Sequence, residues 1–346
     1  MIDGHGNDRY NYGDRITIDF SSNIAFNNNA NAIIEMLRDN LCAIKNYPDP
    51  RAKLLVEKIA QRHSVKNNEI LVANGSADAF YIIAHLIATD KQNAINSLIL
   101  TPAFAEYEDS CRAHNHSLHF SDINEWQTID YSQYDSVWIG TPNNPDGYRI
   151  RMEEITTLAA KYPNCLFVID RAYNDLSASH ETERVGEVSA NIILSYSLTK
   201  GFGIPGIRLG YVVASSSRIN RMNALMPPWS VNALAQVVGC YALDNCESLM
   251  MNRSELLAES EYLQQKVASI NGFQVSPSDC NFFLCQLQNG RTAAELRQYL
   301  IDNYGILIRN ASNFRGLTEK HFRLAAQSRA DNDKLINALT EWTSTY

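Results

Sequence analysis

A chain of 346 residues, 45% hydrophobic and 20% charged, is long enough for two cores and has the composition of a globular protein. Its 30 basic and 38 acidic side chains leave a net charge of −8, which argues against a nucleic-acid or acidic-membrane partner. Seven scattered cysteines form no C-x-x-C pair, the first residues carry no apolar signal core, and no run approaches the roughly 18 apolar residues of a membrane helix. These features argue against a disulfide framework, a zinc site and a membrane span, and they predict a cytoplasmic protein.

In chain order, the Gly-, Asn- and Asp-rich start predicts an arm around one strand, residues 16–20, followed by a helix over 30–41. Tyr47-Pro48-Asp49-Pro50 is a turn signal, and residues 52–63 carry apolar residues at helical spacing. A strand at 69–72 then leads through Asn74-Gly75-Ser76, with Ser76 as N-cap, into an apolar helix over 77–88. Short apolar runs at 97–100, 136–139, 166–169 and 192–195 fit strands buried on both faces, with helical stretches such as 152–161 between them. This alternation predicts an α/β sheet, mostly parallel and flanked by helices. Beyond about residue 230 the pattern becomes one long helical region to about 269. Strands at 282–285, 306–308 and 322–325 and helices at 292–304 and 331–342 follow, with Gly305 as a C-cap and Leu335, Leu339 and Trp342 on one face. The expected division is an arm and part of a small domain at 1–45, a large domain at 46–230, and a linking helix with a smaller α+β domain at 231–346.

The chemistry-bearing residues fall just after these strands. Lys200 follows a buried strand in a Ser/Thr- and Gly-rich turn that runs to Arg208. A lysine held in a cleft there loses basicity and can form an imine, while Ser197, Thr199 and Arg208 could bind a phosphate. Asp170 ends the strand at 166–169, where ligands of open α/β sheets bind. Such a carboxylate can keep a pyridine nitrogen protonated. Asn144, in Thr141-Pro-Asn-Asn-Pro-Asp-Gly147, could bond a ring hydroxyl, although that stretch also reads simply as a turn. Gly75, Ser76 and Ala77 open a helix whose N-terminus suits a phosphate, and Phe104 or Tyr107 could stack on a flat ring or belong to the core. His114, His116 and His119 would share a strand face, but no Cys or carboxylate set completes a metal site, so none is expected.

With these segments in order, the sequence resembles the fold-type-I pyridoxal 5'-phosphate (PLP) enzymes of aminotransferase class I/II. Within that group it resembles the L-threonine O-3-phosphate decarboxylases, with the histidinol-phosphate aminotransferases as close cousins. The stretches that carry the resemblance include Gly4-His5-Gly6-Asn7, Asp19 to Ile24, Tyr47-Pro48-Asp49, Thr101 to Tyr107, Ser197 to Lys200, Ile204 to Tyr211, Pro228 to Ala233, Ile306 to Arg309 and Asn313 to Leu317. The resemblance implies a large PLP-binding domain, with Lys200 as the Schiff-base lysine and Asp170 facing the ring nitrogen. Asn144 and Tyr173 would serve the ring hydroxyl and Phe104 the ring face. The backbone at Gly75 to Ala77, with Ser197, Thr199 and Arg208, would hold the cofactor phosphate. Tyr47 would reach that phosphate from a second subunit, which implies a homodimer. Arg323 would bind the substrate carboxylate, Arg309 and Arg315 the substrate phosphate, and His5, Asn7 and Asn23 would lie over the substrate.

The chain departs from the family pattern in several places. Arg171 follows Asp170 where an acid is usual, and Asp146 stands where threonine is usual. The segment after Ile24 lacks the usual N-P-L-G, and Gln327 occupies the place of a second arginine, with Arg329 nearby. The resemblance implies decarboxylation of a phosphorylated amino acid, L-threonine O-3-phosphate, to aminopropanol phosphate in cobalamin biosynthesis. The alternatives are an aminotransferase of the histidinol-phosphate type and a non-catalytic PLP-binding homologue, the latter opposed by the intact Lys200, Asp170 and Arg208.

Overall fold

The computed structural model describes residues 8–26, 30–90, 94–178 and 189–345. Its strands are β1 (Ile18–Asp19), β2 (Ile70–Ala73), β3 (Asn96–Thr101), β4 (Ser117–Asp122), β5 (Ser136–Gly140), β6 (Leu166–Asp170), β7 (Ile192–Ser197), β8 (Gly210–Val213), β9 (Phe273–Val275), β10 (Phe282–Leu287), β11 (Ile306–Leu307), β12 (Arg309–Asn310) and β13 (His321–Ala325). Its α-helices are α1 (Ala30–Asn40), α2 (Lys53–His63), α3 (Ser76–Asp90), α4 (Ala105–Ala113), α5 (Met152–Lys161), α6 (Ser216–Leu225), α7 (Ala233–Asp244), α8 (Cys246–Leu249), α9 (Arg253–Ala268), α10 (Ala293–Tyr304) and α11 (Arg329–Thr345).

Strands β2 to β8 form one sheet in the order β2-β8-β7-β6-β5-β3-β4. Only β8 runs against its neighbours; the remaining pairs are parallel. Six carboxyl ends therefore lie along one edge, where side chains from distant parts of the chain can meet. The strands are apolar throughout because helices cover both faces, and alternate residues feed two different cores. Val72, Val137, Phe167 and Ile192 pack on one face with Leu55 and Ile59 of α2, Ile155 of α5 and Val238 of α7. Leu71, Trp138, Val168 and Ile193 pack on the other with Phe80 of α3, Tyr107 of α4 and Ile219 of α6.

The C-terminal segment builds a second lobe. The antiparallel sheet β12-β13-β10-β9 packs with α9, α10 and α11 around Leu263, Phe283, Leu300, Phe322, Leu339 and Trp342. The N-terminal segment joins this lobe through the parallel pairing of β1 with β11 and through the Ala325 N–H, which donates to the Phe20 carbonyl at 2.9 Å. Ala172, Tyr173 and Leu176 from the large sheet side pack with Phe282, Ala325 and Leu256 from the C-terminal side, so the lobes meet beside the carboxyl edge.

Several elements differ from the sequence reading. The strand expected over 16–20 shortens to Ile18–Asp19, because Gly13–Arg15 coil into a 3-10 turn and Ile16 packs into a small core with Ile301 and Leu307. Ser76 is the first residue of α3 rather than its cap, and the Asp78 carboxylate accepts the Asn74 N–H at 3.0 Å. The long helix expected to 269 breaks into α7, α8 and α9. Asn245 lies between the first two, and Asn252 caps the third by accepting from Ser254 N–H at 2.9 Å. The strand expected over 306–308 shortens to β11, Ile306–Leu307, and a separate strand, β12, begins after Ile308 in the other sheet. Strand β8 begins where the sequence suggested only the tail of a glycine-rich loop, and helix α6 lies in a stretch to which the sequence reading gave no element. Gly305 caps α10 in the left-handed conformation, with φ +63°, as expected.

Candidate active site

At the carboxyl edge a cleft of about 750 Å3 opens between the large sheet and the second lobe. Phe104 follows β3, Asn144 follows β5, Tyr173 follows β6 and Lys200 follows β7, and all four line it. Asn23, Arg309, Arg315 and Arg323 line it from the other lobe, and Arg208 stands at the entry to β8. Among the described residues its lining carries Lys200 and four arginines against two carboxylates, Glu106 and Glu108. Such a site favours a ligand with more than one negative group.

Asp170 ends β6 and Lys200 follows the neighbouring β7, in which Ser195 is in register with Asp170. Asp170 is buried; its Oδ1 accepts the Ala172 N–H at 2.9 Å and its Oδ2 accepts the Tyr107 hydroxyl at 2.6 Å. Burial pushes this carboxyl above the usual carboxylate range, while those two hydrogen bonds and the Lys200 charge pull the other way. Lys200 is partly open to the cleft, with its Nζ 5.8 Å from the centre of the Tyr173 ring. Desolvation, helped by Arg323 and Arg208, pushes its ammonium down to about 8, against the pull of Asp170. An amine of that kind is partly neutral at physiological pH and available as a nucleophile. Burial raises the Tyr173 phenol to about 12.

Arg323 is buried and donates to Asn144 Oδ1 and, at 2.6 Å, to the Ser21 carbonyl. Desolvation lowers Arg323 to about 10 and, together with Arg323, lowers the half-buried Arg309 to about 9, so both remain cations at neutral pH. Arg309 also donates to Asn313 Oδ1 at 2.8 Å. Arg315 differs from these two. Its guanidinium lies 3.9 Å over Phe120 and grips Glu108 at 2.9 and 3.0 Å. Despite its burial, Glu108 is held below the usual carboxylate range by Arg315 and Arg112. The charge of Arg315 is thus already matched, and the contact ties α4 to the other lobe.

The remaining expected residues fall into place unequally. Gly75, Ser76 and Ala77 begin α3 beside Arg208: a Cβ on Gly75 would lie 2.5 Å from an Arg208 guanidinium nitrogen, and φ at Gly75 is +87°. Ser197 and Thr199 are buried with their hydroxyls 2.9 Å apart. Tyr47 is not near this cleft in its own chain; it is 83% exposed, with its ring 5.0 Å from that of Trp229. His5 and Asn7 lie outside the described residues. Arg329 pairs with Glu259 at 2.9 Å and lies over Tyr262, so it does not line the cleft and does not fill the place of Gln327. The three histidines do not converge. His116 is buried between Ser97 and the Ala84 carbonyl, His119 lies against Asn96, and His114 stacks on His85.

The family model for aminotransferase class I and II matches residues 15–339. The chain belongs to this family. Family members are PLP enzymes, and PLP is the cofactor of this chain. The chain is 31% identical over 338 residues to the threonine-phosphate decarboxylase of Salmonella typhimurium, covering 93% of this chain and 90% of that protein. It superimposes on the crystal structure of L-threonine-O-3-phosphate decarboxylase from Porphyromonas gingivalis with a TM-score of 0.89 at 35% identity, covering 94% and 99% of the two chains. For the histidinol-phosphate aminotransferase from Clostridium acetobutylicum the TM-score is 0.82 at 26% identity, covering 95% and 100%.

The donor set suits this family's cofactor. The space kept open at Gly75 separates the N–H groups of a helix start from a guanidinium, a combination that favours phosphate. A nucleophilic amine and a buried carboxylate face the same cleft region. Two departures from the family pattern also acquire a structural account. Arg171 is buried and donates to Asn174 Oδ1, so its charge is turned into a local turn. Asp146 accepts the Asn143 amide at 2.9 Å and the Tyr148 N–H at 3.0 Å, and thereby braces the turn that carries Asn144.

Burial pushes the Asp146 carboxyl up to about 6. The folded protein therefore holds this proton more tightly than the unfolded chain does. The resulting stabilisation is full below the unfolded pKa near 3.8 and is lost as pH rises through 6. Asp146→Asn should accordingly raise the melting temperature relative to wild type at pH 8 and change it little at pH 4. An advantage confined to pH 4, or no difference at either pH in thermal melts, would contradict this reading.

Proposed function

We propose that this protein is a PLP-dependent decarboxylase of L-threonine O-3-phosphate. The observation that carries the proposal is the excess of guanidinium groups around Lys200, which suits a substrate bearing both a carboxylate and a phosphate. The likeness to threonine-phosphate decarboxylases in sequence and in structure supports it.

In this reading Lys200 holds the cofactor covalently. Asp170 keeps the ring nitrogen protonated, and Asn144 and Tyr173 serve the ring hydroxyl. Phe104 covers a ring face, and the α3 N-terminus with Ser197, Thr199 and Arg208 holds the phosphate. When bound, PLP supplies an electron sink for the pair left behind as a bond to the substrate Cα breaks. Arg323 binds the substrate carboxylate and so sets which bond at Cα faces that sink. Arg309 takes the substrate phosphate, with Arg315 held beside it by Glu108. Lys200, with an ammonium at about 8, can release and take up a proton at Cα near neutral pH. Asn23 completes the wall over the substrate.

The same residues would serve an aminotransferase of the histidinol-phosphate type, in which the Cα–H bond breaks instead; the likeness to the Clostridium enzyme favours that second reading. Adding L-threonine O-3-phosphate to PLP-loaded protein should release CO2 catalytically, and Lys200→Ala should lower the rate by at least about 1,000-fold. Absence of CO2, with conversion of the cofactor to its amine form by glutamate, would replace the decarboxylase with the aminotransferase.

We also propose division at residues 45 and 230, a cytoplasmic location and a homodimer in which Tyr47 of one protomer reaches the cofactor phosphate of its partner. Seven free cysteines support a reducing compartment, and no helix among the described residues is long and apolar enough to cross a membrane. The exposed side chains of Leu41, Ile44, Tyr47, Leu54 and Trp229 support a covered surface. Light scattering should give twice the chain mass, and Tyr47→Phe should weaken PLP binding; a monomer with full PLP affinity would rule the dimer out.

A further inference from the structure

We propose that Tyr107 is a positioning residue for the cofactor chemistry: its hydroxyl fixes Asp170 and limits the basicity of that carboxylate toward the ring nitrogen. The inference rests on the PLP assignment of the cleft and concerns a residue that touches neither cofactor nor substrate.

Three observations separate Tyr107 from an ordinary core tyrosine. The first is the partner. The hydroxyl donates at 2.6 Å to Oδ2 of Asp170, while Oδ1 accepts from Ala172 N–H at 2.9 Å. Each oxygen of the carboxylate thus has one neutral donor, and its plane is set from two elements, α4 and the turn after β6. The second is the berth. Gly140 ends β5 in register with Asp170, and a Cβ there would lie 2.9 Å from Asn143 Oδ1 and 3.2 Å from the Tyr107 hydroxyl oxygen. The bare strand end thus leaves close room for both the hydroxyl and the Asn143 side chain. The third is rigidity. The ring is fully buried and packs edge-on against Phe80 at 5.0 Å, with Trp138 and Phe104 at 6.0 Å. Phe104 is the residue assigned to the cofactor ring, so one buried aromatic supports both the ring-stacking side chain and the carboxylate.

The chemistry follows from what a neutral donor does to a carboxylate. Burial and the neighbouring Asp170 charge raise the Tyr107 phenol well above its usual range, so it remains a donor at every working pH. Its hydrogen bond favours the ionised form of Asp170 and makes that form a weaker base. A weaker base leaves the shared proton on the ring nitrogen, where it strengthens the electron sink. Without the phenol, Asp170 would draw the proton toward itself and would be free to turn about its Cβ–Cγ bond.

The test uses Tyr107→Phe, which keeps the ring and its packing, in PLP-loaded protein. The expected result is a folded protein with a melting temperature lower by only about a few degrees, unchanged KM and a kcat lower by about 10- to 100-fold. The solid-state NMR signal of 15N-labelled ring nitrogen should move toward the unprotonated position. If Tyr107→Phe keeps the wild-type 15N signal and a kcat within about twofold, the proposal is wrong while the PLP assignment stands. If wild-type protein shows no PLP absorbance band after reconstitution, the assignment itself fails and the proposal falls with it.

Discussion

The site depends on the lateral pairing of two parallel strands. Because β6 and β7 are neighbours in register, the carboxylate of Asp170 and the amine of Lys200 emerge at one edge of one sheet. Each is shielded from bulk water, and each moderates the other. The Asp170 charge opposes the desolvation that lowers Lys200, and the Lys200 charge opposes the desolvation that raises Asp170. Removing either partner would leave the other as a poorly compensated charge in a low-dielectric setting. The pairing is thus a condition for keeping a reactive amine beside a buried carboxyl group.

The second lobe adds what the sheet edge lacks. Arg323 comes from β13 and Arg309 from β12, antiparallel strands that are themselves in register. The N-terminal segment reaches this lobe through β1, which brings Ser21 and Asn23 to the cleft. The Glu108–Arg315 pair spans from α4 to the loop before β13, and the Phe120 ring beneath Arg315 gives it an apolar seat. This contact couples the approach of the two lobes to the shape of the cleft. It also sets apart Arg315, whose charge is matched by Glu108, from Arg309 and Arg323, which line the cleft from paired strands.

Much of this architecture was legible in the sequence because the signals were local. Continuous apolar runs such as 166–169 and 192–195 mark strands covered on both faces, and residues just beyond them must lie at the carboxyl edge. Lys200, Asp170, Asn144 and either Phe104 or Tyr107 could therefore be singled out as candidates from position, and the family resemblance gave them their roles. Other features depend on contacts between distant segments. Strand β8 hides in a glycine-rich stretch because its pairing is set by β2 and β7, not by its own pattern. The run 306–308 reads as one strand, yet only Ile306 and Leu307 pair with β1, and Arg309 and Asn310 just beyond it join a different sheet. Tyr107 looked like core or a ring-stacking group. Only the fold reveals that a helix residue reaches across to a carboxylate 63 positions later. Glu108 carried no signal, since its partner Arg315 lies 207 residues away. Arg329 was near the right place in sequence, but Glu259 and Tyr262 hold it elsewhere.

The central claim is that Lys200 is the lysine that binds the cofactor covalently. Its most direct test is borohydride reduction of the PLP-loaded protein, followed by proteolysis and mass mapping of the phosphopyridoxyl group. The account predicts one modified peptide, containing Lys200, in stoichiometric yield. Modification of a different lysine, or a cofactor that washes away after reduction, would contradict it.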